Sequence, residues 1–302
     1  MSPTRIALVS VAAARDLDED LAPLLDALRA TGTITEVVDW DNASVNWSQF
    51  NLVLLRSTWD YTQRLPEFLD WVTRVSTQTR LLNPASVIRW NTDKHYLAEL
   101  AAANVPVVAS TFIETDQSAD ARLRRFLDAN EAKEFVVKPT VGAGSRDAQR
   151  YGREEFAAAQ SHIQRLHDTQ RSVLLQPYLN RVDAHGETAL IFFNGVFSHA
   201  IRKGALLRRG EGPTRALFAA EHIVARMPSD DELELAARTL KAMPFDQPLL
   251  FARVDLIHAD DGSPRVLELE LTEPSLFFAH ATGSAARFAK AIVKRVSDCD
   301  PN

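Results

Sequence analysis

The sequence is poor in cysteine, glycine and long apolar runs, and each shortage excludes a class of protein. Its 302 residues include one cysteine, Cys299, so neither an intrachain disulfide framework nor a cysteine-rich zinc site can form. No segment approaches the ~18 consecutive apolar residues of a membrane-spanning helix. The net charge of −6 argues against a general nucleic-acid binder. We therefore expect a globular, cytoplasmic protein with neither a membrane nor a nucleic acid as its partner.

The glycines and basic residues that are present gather in the middle of the chain. Eight of the 11 glycines lie between residues 142 and 212, and basic residues outnumber acidic ones from residue 138 to residue 215. Glycine lets backbone N–H groups approach a ligand closely, and positive charge attracts anions. The central third is therefore a candidate site for a phosphorylated ligand, although a loop-rich region with a basic surface explains the same composition.

The first 90 or so residues alternate strand and helix patterns. Apolar runs at 6–10, 34–40 and 52–58 predict strands, and apolar side chains at helical spacing predict helices over 18–29 and 66–75. This βαβ rhythm indicates a parallel sheet. The segment lacks G-x-G-x-x-G, which argues against a dinucleotide-binding Rossmann domain.

A polar turn follows the third predicted strand. Arg56, Ser57 and Thr58 stand at its C-terminal end, where open α/β sheets bind their ligands. Arg56 can clamp a carboxylate, and Ser57 or Thr58 can hydrogen-bond it. A capped turn beside a half-buried tryptophan is the simpler alternative.

Two lysines and a glycine-containing loop are candidates for holding phosphates. A helix is predicted to start at Asn91, and Lys94 in its first turn is unfavourable unless it faces an anion. Lys138 ends a predicted strand over 134–139 and precedes the loop 142–146. Such a loop can cover phosphates, but it lacks the G-K-[ST] of a Walker A motif, and a hairpin turn is an equally good interpretation.

Asn194-Gly195 lies between two apolar runs and predicts a hairpin of strands 187–193 and 196–203, the second of which ends in Arg202 and Lys203. Ser229 and Glu232 have the spacing of a capping box at the start of a helix.

The sharpest pattern is an acidic hairpin, with strands predicted over 249–258 and 265–271. Because strand side chains alternate between faces, one face is predicted to be charged and the other apolar. The charged face takes Arg253, Asp255, Glu268 and Glu270, and the apolar face takes Leu267, Leu269 and Leu271. Clustered carboxylates repel one another unless they are protonated or bridged by a cation, and oxygen-only ligands suit Mg²⁺ or Mn²⁺. A solvated polar face is the alternative.

The order and spacing of these motifs resemble the ATP-grasp superfamily of carboxylate–amine ligases over nearly the whole chain. The matching stretches are Asn91-Thr92-Asp93-Lys94, Val136-Val137-Lys138-Pro139, Gly142-Ala143-Gly144-Ser145, Leu175-Gln176-Pro177-Tyr178-Leu179, Arg253-Val254-Asp255-Leu256 and Glu268-Leu269-Glu270. Three further stretches, 55–61, 89–94 and 269–275, are similar to the D-cycloserine synthetases and their near relatives.

The resemblance implies an ATP-grasp fold, α/β in class and α+β overall. Its implied parts are an N-terminal parallel α/β domain over 1–92, a small central lid subdomain over 93–172 and a C-terminal antiparallel-sheet domain with the metal site over 173–302.

The resemblance also implies a role for each candidate residue toward ATP. Lys94 and Lys138 would contact the phosphates, Gly142, Gly144 and Ser145 would close over them, and Arg146 would lie near the γ-phosphate or the substrate. Backbone groups of Gln176, Tyr178 and Leu179 would hold the adenine edge, and Glu187, or alternatively Asp183, would bind ribose.

The remaining implied roles concern the metal, the substrate and the chemistry. Asp255, Glu268 and Glu270 would bind two Mg²⁺ ions, with Mn²⁺ as a substitute, and Arg253 would stabilise an oxyanion. Arg202 and Lys203 would contact the phosphates or an acyl-phosphate, and Arg56, Ser57, Thr58 and Ser275 would grip an amino-acid-like substrate. The chain departs from the superfamily in having Gln176-Pro177 for the common acidic hinge, Glu270 where many relatives have Asn, and only two glycines in the loop.

The implied activity is ATP- and Mg²⁺-dependent. A substrate carboxylate becomes an acyl-phosphate that nitrogen attacks, here closing O-ureido-D-serine to D-cycloserine with release of ADP, phosphate, CO₂ and ammonia. Two alternatives stay open: a ligase that joins separate molecules, as in dipeptide or glutathione synthesis, and a non-catalytic nucleotide-binding module. A homodimer is compatible with the sequence.

Overall fold

The computed structural model of the chain describes residues 3–210, 212, 222–246 and 248–298, and Cys299 lies outside them. These ranges contain 13 strands and nine α-helices, joined by short 3₁₀ turns. The strands are β1 (Arg5–Ser10), β2 (Ile34–Asp39), β3 (Leu52–Ser57), β4 (Leu81–Leu82), β5 (Thr111–Ile113), β6 (Glu134–Pro139), β7 (Gln149–Gly152), β8 (Val173–Pro177), β9 (Glu187–Phe193), β10 (Val196–Lys203), β11 (Ile223–Arg226), β12 (Phe251–His258) and β13 (Pro264–Glu270). The helices are α1 (Leu21–Arg29), α2 (Leu65–Ser76), α3 (Ala85–Asn91), α4 (Tyr96–Ala102), α5 (Ala119–Ala129), α6 (Phe156–Asp168), α7 (Arg181–His185), α8 (Asp230–Lys241) and α9 (Ser284–Ser297).

The N-terminal strands form a parallel sheet in the order β2-β1-β3-β4, as the βαβ rhythm predicts. Successive side chains of β1 enter different cores: Leu8 packs with α1, and Val9 packs with α2. Both faces of the sheet are therefore covered, which explains the continuous apolar runs of its central strands.

The central sheet is antiparallel, in the order β5-β8-β6-β7, and α5 and α6 pack on it. Strand β8 pairs with β5 and β6, so the predicted boundary between residues 172 and 173 separates this strand from its own sheet. The domain limits otherwise remain a prediction.

The C-terminal sheet is antiparallel, in the order β11-β10-β9-β12-β13. The predicted hairpin joins β9 to β10, and Asn194 and Gly195 adopt φ values of 50° and 76°, the positive values that a tight hairpin turn of this type requires. One face of the sheet packs with α1 and α9, and the other packs with α8. None of the helices in the described ranges is long and apolar enough to cross a membrane.

The prediction that a helix begins at Asn91 is wrong, because Asn91 ends α3 and the next helix begins at Tyr96. The Asn91 side chain is held by the neighbouring strand instead. Its Nδ2 donates to the Leu269 carbonyl at 2.6 Å, and its Oδ1 accepts from the Leu271 N–H at 2.7 Å. Lys94 therefore lies in the turn between two helices, where its N–H donates to the Thr140 carbonyl at 3.0 Å.

Candidate active site

A cavity of about 640 Å³ is lined by residues of all three parts of the chain. Most of the predicted site residues line it: Lys94, Lys138, Gly142, Gly144, Ser145, Arg146, Gln176, Tyr178, Leu179, Glu187, Lys203, Arg253, Asp255, Glu268, Glu270 and Ser275. Five predicted residues are not among those that line it: Arg56, Ser57, Thr58, Asp183 and Arg202.

Lysines gather where the central sheet meets the acidic hairpin. Lys138 Nζ lies 2.6 Å from Glu268 Oε1, and Lys94 Nζ lies 3.8 Å from the other oxygen of the same carboxylate. Lys94 also donates to the Gly142 carbonyl at 2.9 Å, which ties it to the loop. Burial opposes ionisation of Glu268, but the two lysines outweigh it and lower its pKa to about 2. Both lysines therefore face anionic groups, and they could equally face phosphates.

The loop after Lys138 turns back sharply beside the lysines. Gly144 and Ser145 have φ values of 61° and 58°, and the Arg146 N–H donates to the Ala143 carbonyl at 3.2 Å. A left-handed pair at this point folds the loop over the cavity that it lines.

The acidic hairpin has the predicted partners but not the predicted alternation. Asp255 lies opposite Glu268, and Arg253 lies opposite Glu270. The register shifts between Asp255 and Leu256, leaving Leu267 as an extra residue in β13. At this bulge Leu267 is half-buried and lines the cavity, whereas Leu269 and Leu271 belong to the apolar core, so the prediction that it shares their face is wrong.

Arg253 and Lys203 compensate the carboxylates at the centre of the hairpin. Arg253 donates from Nε and Nη2 to the two oxygens of Asp255, each at 2.8 Å, and it also pairs with Glu270. Lys203 Nζ lies 2.9 Å from Asp255 Oδ2 and also pairs with Glu187. Burial opposes ionisation of Asp255, but Arg253 and Lys203 lower its pKa well below the ordinary value.

Two carboxylates of this group bind protons more readily than usual. Burial, together with the charge of Asp255, raises the pKa of Glu187 to about 8 and that of Glu270 to about 7. Burial is the larger cause of both shifts, and the nearby Asp255 carboxylate adds to it. An added cation would lower both pKa values.

Within the described ranges, no three carboxylate or imidazole side chains converge as a metal would require. The predicted ligands are paired with Arg253, Lys203 and Lys138 instead. Asp255 and Glu268 are nevertheless direct cross-strand neighbours, whose Cβ atoms lie about 4.5–5.5 Å apart in such pairs. The oxygen-only donor set fits Mg²⁺.

Strand alternation explains why Lys203 lines the cavity and Arg202 does not. Adjacent residues of β10 point to opposite faces, so only one of them can meet Asp255. Arg202 instead donates to the carbonyls of Ala184 and His185 at the end of α7.

The turn predicted to grip a carboxylate is buried. Arg56 is fully buried, with its guanidinium 3.9 Å from Asp18 and 3.8 Å from Asp20. Ser57 Oγ lies 2.7 Å from Ser10 Oγ, and Thr58 is also fully buried.

Asp20, not Arg56, is the member of this group that reaches the cavity. Its carboxylate accepts from the backbone N–H groups of Leu276, Phe277 and Phe278 at 2.5, 3.0 and 2.8 Å. These contacts fix the loop that follows the acidic hairpin. Ser275 precedes these three residues in the same loop, and its carbonyl accepts from Arg253 Nη1 at 3.1 Å.

The predicted adenine and ribose residues are only partly brought together. Gln176 Nε2 donates to Ser110 Oγ at 3.0 Å, which leaves the backbone groups of Gln176 for the predicted adenine contact. The Tyr178 hydroxyl donates to Asp183 at 2.5 Å, and Arg150 lies over the Tyr178 ring, 3.5 Å from its centroid. Asp183 therefore contributes to the wall behind Tyr178, whereas Glu187 lines the cavity beside Asp255.

Tyr61 and Glu273, like Asp20, belong to the site but were missed by sequence reasoning. Both line the cavity and are nearly buried, with 4% and 6% of their surface exposed. Each lies inside a stretch that carries the family resemblance, yet neither stretch assigns it a role. The signal that could have found Glu273 is its position just after a run of metal-type carboxylates, on a loop that returns to the cavity.

Comparison with known proteins identifies the family. A family model described as the N-terminal domain of D-cycloserine synthetase DcsG matches residues 6–83. The cycloserine biosynthesis protein DcsG of Streptomyces lavendulae is 45% identical over 296 residues, which cover 96% of this chain and 98% of that protein. The chain belongs to the D-cycloserine synthetase family. The crystal structure of D-cycloserine synthetase DcsG superposes on this family member with a TM-score of 0.92 at 45% identity, covering 97% of this chain and 99% of the other.

The fold of this D-cycloserine synthetase family member is that of ATP-grasp ligases. The D-alanine–D-alanine ligase of Bacillus anthracis gives a TM-score of 0.69 at 14% identity, covering 98% of both chains. The family and the fold together make the protein an ATP-dependent ligase, as the sequence predicts.

Proposed function

We propose that this ligase closes O-ureido-D-serine to D-cycloserine at the expense of ATP. The cycloserine biosynthesis protein that is 45% identical supports the choice of reaction. The observation that carries the chemistry is the division of charge in one cavity, with Lys94 and Lys138 on one side of Glu268 and with Arg253 and Lys203 around Asp255. Such a division suits a polyanionic nucleotide beside a reacting carboxylate.

ATP is assigned to the side of the cavity that carries the lysines. Lys94 and Lys138 hold the phosphates, and the loop with Gly142, Gly144, Ser145 and Arg146 covers them. Backbone groups of Gln176, Tyr178 and Leu179 hold adenine, and Glu187 or Asp183 binds ribose. Asp255, Glu268 and Glu270 hold Mg²⁺ as two ions, which Mn²⁺ can replace. The metal supplies neutralisation of charge on the transferring phosphoryl group.

In the first step the substrate carboxylate attacks the γ-phosphorus of ATP and gives an acyl-phosphate and ADP. The nitrogen bonded to oxygen in the same molecule then attacks the activated carbonyl, releasing phosphate and closing the ring. Arg253 stabilises the oxyanion, and Lys203 contacts the acyl-phosphate. One water removes the carbamoyl group as CO₂ and ammonia. Holding both reacting groups of one molecule together in one cavity favours ring closure over hydrolysis.

Of the four residues predicted to grip the substrate, only Ser275 is assigned a direct contact. Ser275 lines the cavity and can touch the amino-acid part directly. Arg56, Ser57 and Thr58 act indirectly, because Arg56 flanks the Asp20 carboxylate that fixes the loop containing Ser275. An intermolecular ligase is the competing function, since a second amine could occupy the place of the internal nitrogen.

An ADP-release assay separates these functions. With ATP, Mg²⁺ and O-ureido-D-serine alone, ring closure predicts ADP and D-cycloserine in equal amounts, and the L-enantiomer tests the stereochemical assignment. An intermolecular ligase stays idle until an amine is added, and a nucleotide-binding module binds ATP without turnover on any amino acid or pair of amino acids.

The metal assignment is tested by Glu268→Gln. The variant should abolish ADP formation. Its unfolding midpoint should fall because Lys138 loses its charged partner, and a cooperative unfolding transition shows that the variant still folds. Glu234→Gln, an exposed change on α8, is the matched control. Near-normal turnover in Glu268→Gln would contradict the metal assignment.

A further inference from the structure

One end of the cavity carries a buried carboxylate among aromatic rings, and nothing above uses it. Glu273 is 6% exposed, and Tyr61 and Trp59 are 4% and 3% exposed. All three line the cavity together with Phe277. Trp59 Nε1 donates to the Glu273 carbonyl at 3.2 Å, so the N-terminal part of the chain fixes the backbone at this point. Tyr61 is fixed in turn by stacking on Phe68, with ring centroids 5.1 Å apart.

Ionisation of the Glu273 carboxyl carries a burial cost that a bound cation would reduce. Burial raises its pKa, and the Tyr61 hydroxyl opposes that shift as its hydrogen-bonding neighbour. Burial likewise raises the pKa of Tyr61 well above its ordinary value, so the hydroxyl keeps its proton and can donate. Lys94 and Arg253 contribute only through longer-range attraction. Tyr61 therefore orients the carboxylate without neutralising it.

Arg253, which belongs to the oxyanion part of the site, lies beside this group of residues. Its guanidinium carbon is 5.4 Å from the Phe277 ring centroid, and its Nη1 donates to the Ser275 carbonyl, two residues after Glu273, at 3.1 Å. A substrate carboxylate bound near Arg253 would place an α-substituent within reach of this end. Carboxylate oxygens and aromatic faces together complement an ammonium group.

We propose that Glu273 binds the α-ammonium group of the substrate, with Tyr61 orienting the carboxylate and Trp59 and Phe277 walling the subsite. The ligand class is a zwitterionic α-amino acid with a free amino group. This assignment rests on the proposed function, because the carboxylate of the same molecule is the group that ATP activates. Its rival for the same residue is a general base that takes the proton from the attacking nitrogen.

Comparing the wild type and Glu273→Gln on two ligands separates ammonium binding from the role of a general base. The ligands are O-ureido-D-serine and 3-(ureidooxy)propanoate, which is the same molecule without the α-amino group. Glu273→Gln should lower kcat/KM for the amino substrate by roughly 10- to 150-fold, the range for a hydrogen bond to a charged group. It should change kcat/KM for the deamino compound by less than about twofold, because that ligand never made the contact. An equal loss of kcat/KM on both ligands would mean that Glu273 acts as the general base or supports the fold, and it would overturn the proposal. No loss of kcat/KM on either ligand would also overturn it.

Matched variants keep the result interpretable. Glu273→Asp should restore part of the discrimination, since the charge returns at a longer distance. Tyr61→Phe should weaken it by less than Glu273→Gln does, because only the orienting bond is lost. Glu131→Gln, an exposed change, is the control, and unfolding midpoints show whether each variant folds.

Binding measured without turnover keeps this proposal distinct from the proposed function. Titration calorimetry in the presence of ADP and Mg²⁺ should show that the wild type prefers the amino ligand and that Glu273→Gln loses the preference. Selective binding without D-cycloserine formation would contradict the proposed function and leave the ammonium subsite standing. Turnover without discrimination between the two ligands would contradict the ammonium subsite and leave the proposed function standing. Failure of the amino ligand to bind would overturn both the subsite and the proposed function.

Discussion

Replacing Asp20 by alanine should destabilise the protein by at least about 3 kcal/mol. The Asp20 carboxylate is buried and accepts from three backbone N–H groups between residues 276 and 278. A buried donor left without a partner costs about 1–3 kcal/mol, and three donors lose their partner together. The Arg56 guanidinium, 3.8 Å away and fully buried, also loses one of its two flanking carboxylates. Asp20→Asn should cost less, because one amide oxygen can still accept.

The measurement is urea unfolding followed by tryptophan fluorescence. Asp26→Ala is the control, because Asp26 lies on α1 with 82% of its side chain exposed and should change stability by less than about 0.5 kcal/mol. The same loop supports Arg253, through the Ser275 carbonyl at 3.1 Å and through the Phe277 ring, whose centroid lies 5.4 Å from the guanidinium carbon. Asp20→Asn should therefore also lower kcat. A loss below about 1 kcal/mol in Asp20→Ala would refute this account of the loop.

Two further predictions follow from the sheet and from a buried histidine. Lys203→Met should lower kcat by more than about 100-fold because Glu187 loses its paired cation and Asp255 keeps only Arg253, whereas Arg202→Met should reduce stability more than kcat; the same kcat loss in both would contradict the strand alternation. Burial lowers the pKa of His162 to about 4 in the folded protein, whereas the ordinary value for histidine is 6.5. As the pH falls below 6.5, the imidazole of the unfolded chain therefore binds a proton before that of the folded protein does. That difference removes about 3 kcal/mol of stability between pH 6.5 and pH 4, and His162→Gln should lack this part of the loss in urea titrations; parallel pH profiles for the two proteins would contradict it.

Local patterns predicted the parts of the fold that local physics determines. The apolar runs of β1 and β3 predict buried parallel strands because helices cover both faces, and Asn194-Gly195 predicts its turn because both positions need positive φ. Leu267 was assigned to the wrong face because a bulge depends on pairing with β12, which the strand's own sequence does not contain.

The site could be predicted only where its chemistry lies within one segment. The carboxylates of the acidic hairpin and the lysines were found because each motif is continuous in sequence. Glu273 and Tyr61 were not, because their pairing joins two segments that lie far apart in the chain. Asn91 reads as a helix cap by local rules, yet its hydrogen bonds to the Leu269 carbonyl and the Leu271 N–H bind it to β13.

The central claim is that the substrate carboxylate is activated as an acyl-phosphate, and isotope transfer tests it most directly. O-ureido-D-serine labelled with ¹⁸O in its carboxylate is incubated with the enzyme, ATP and Mg²⁺, and the released phosphate is analysed by mass spectrometry. Attack of the carboxylate on the γ-phosphorus predicts that each phosphate carries one ¹⁸O atom from the substrate. Unlabelled phosphate formed alongside D-cycloserine would contradict the account.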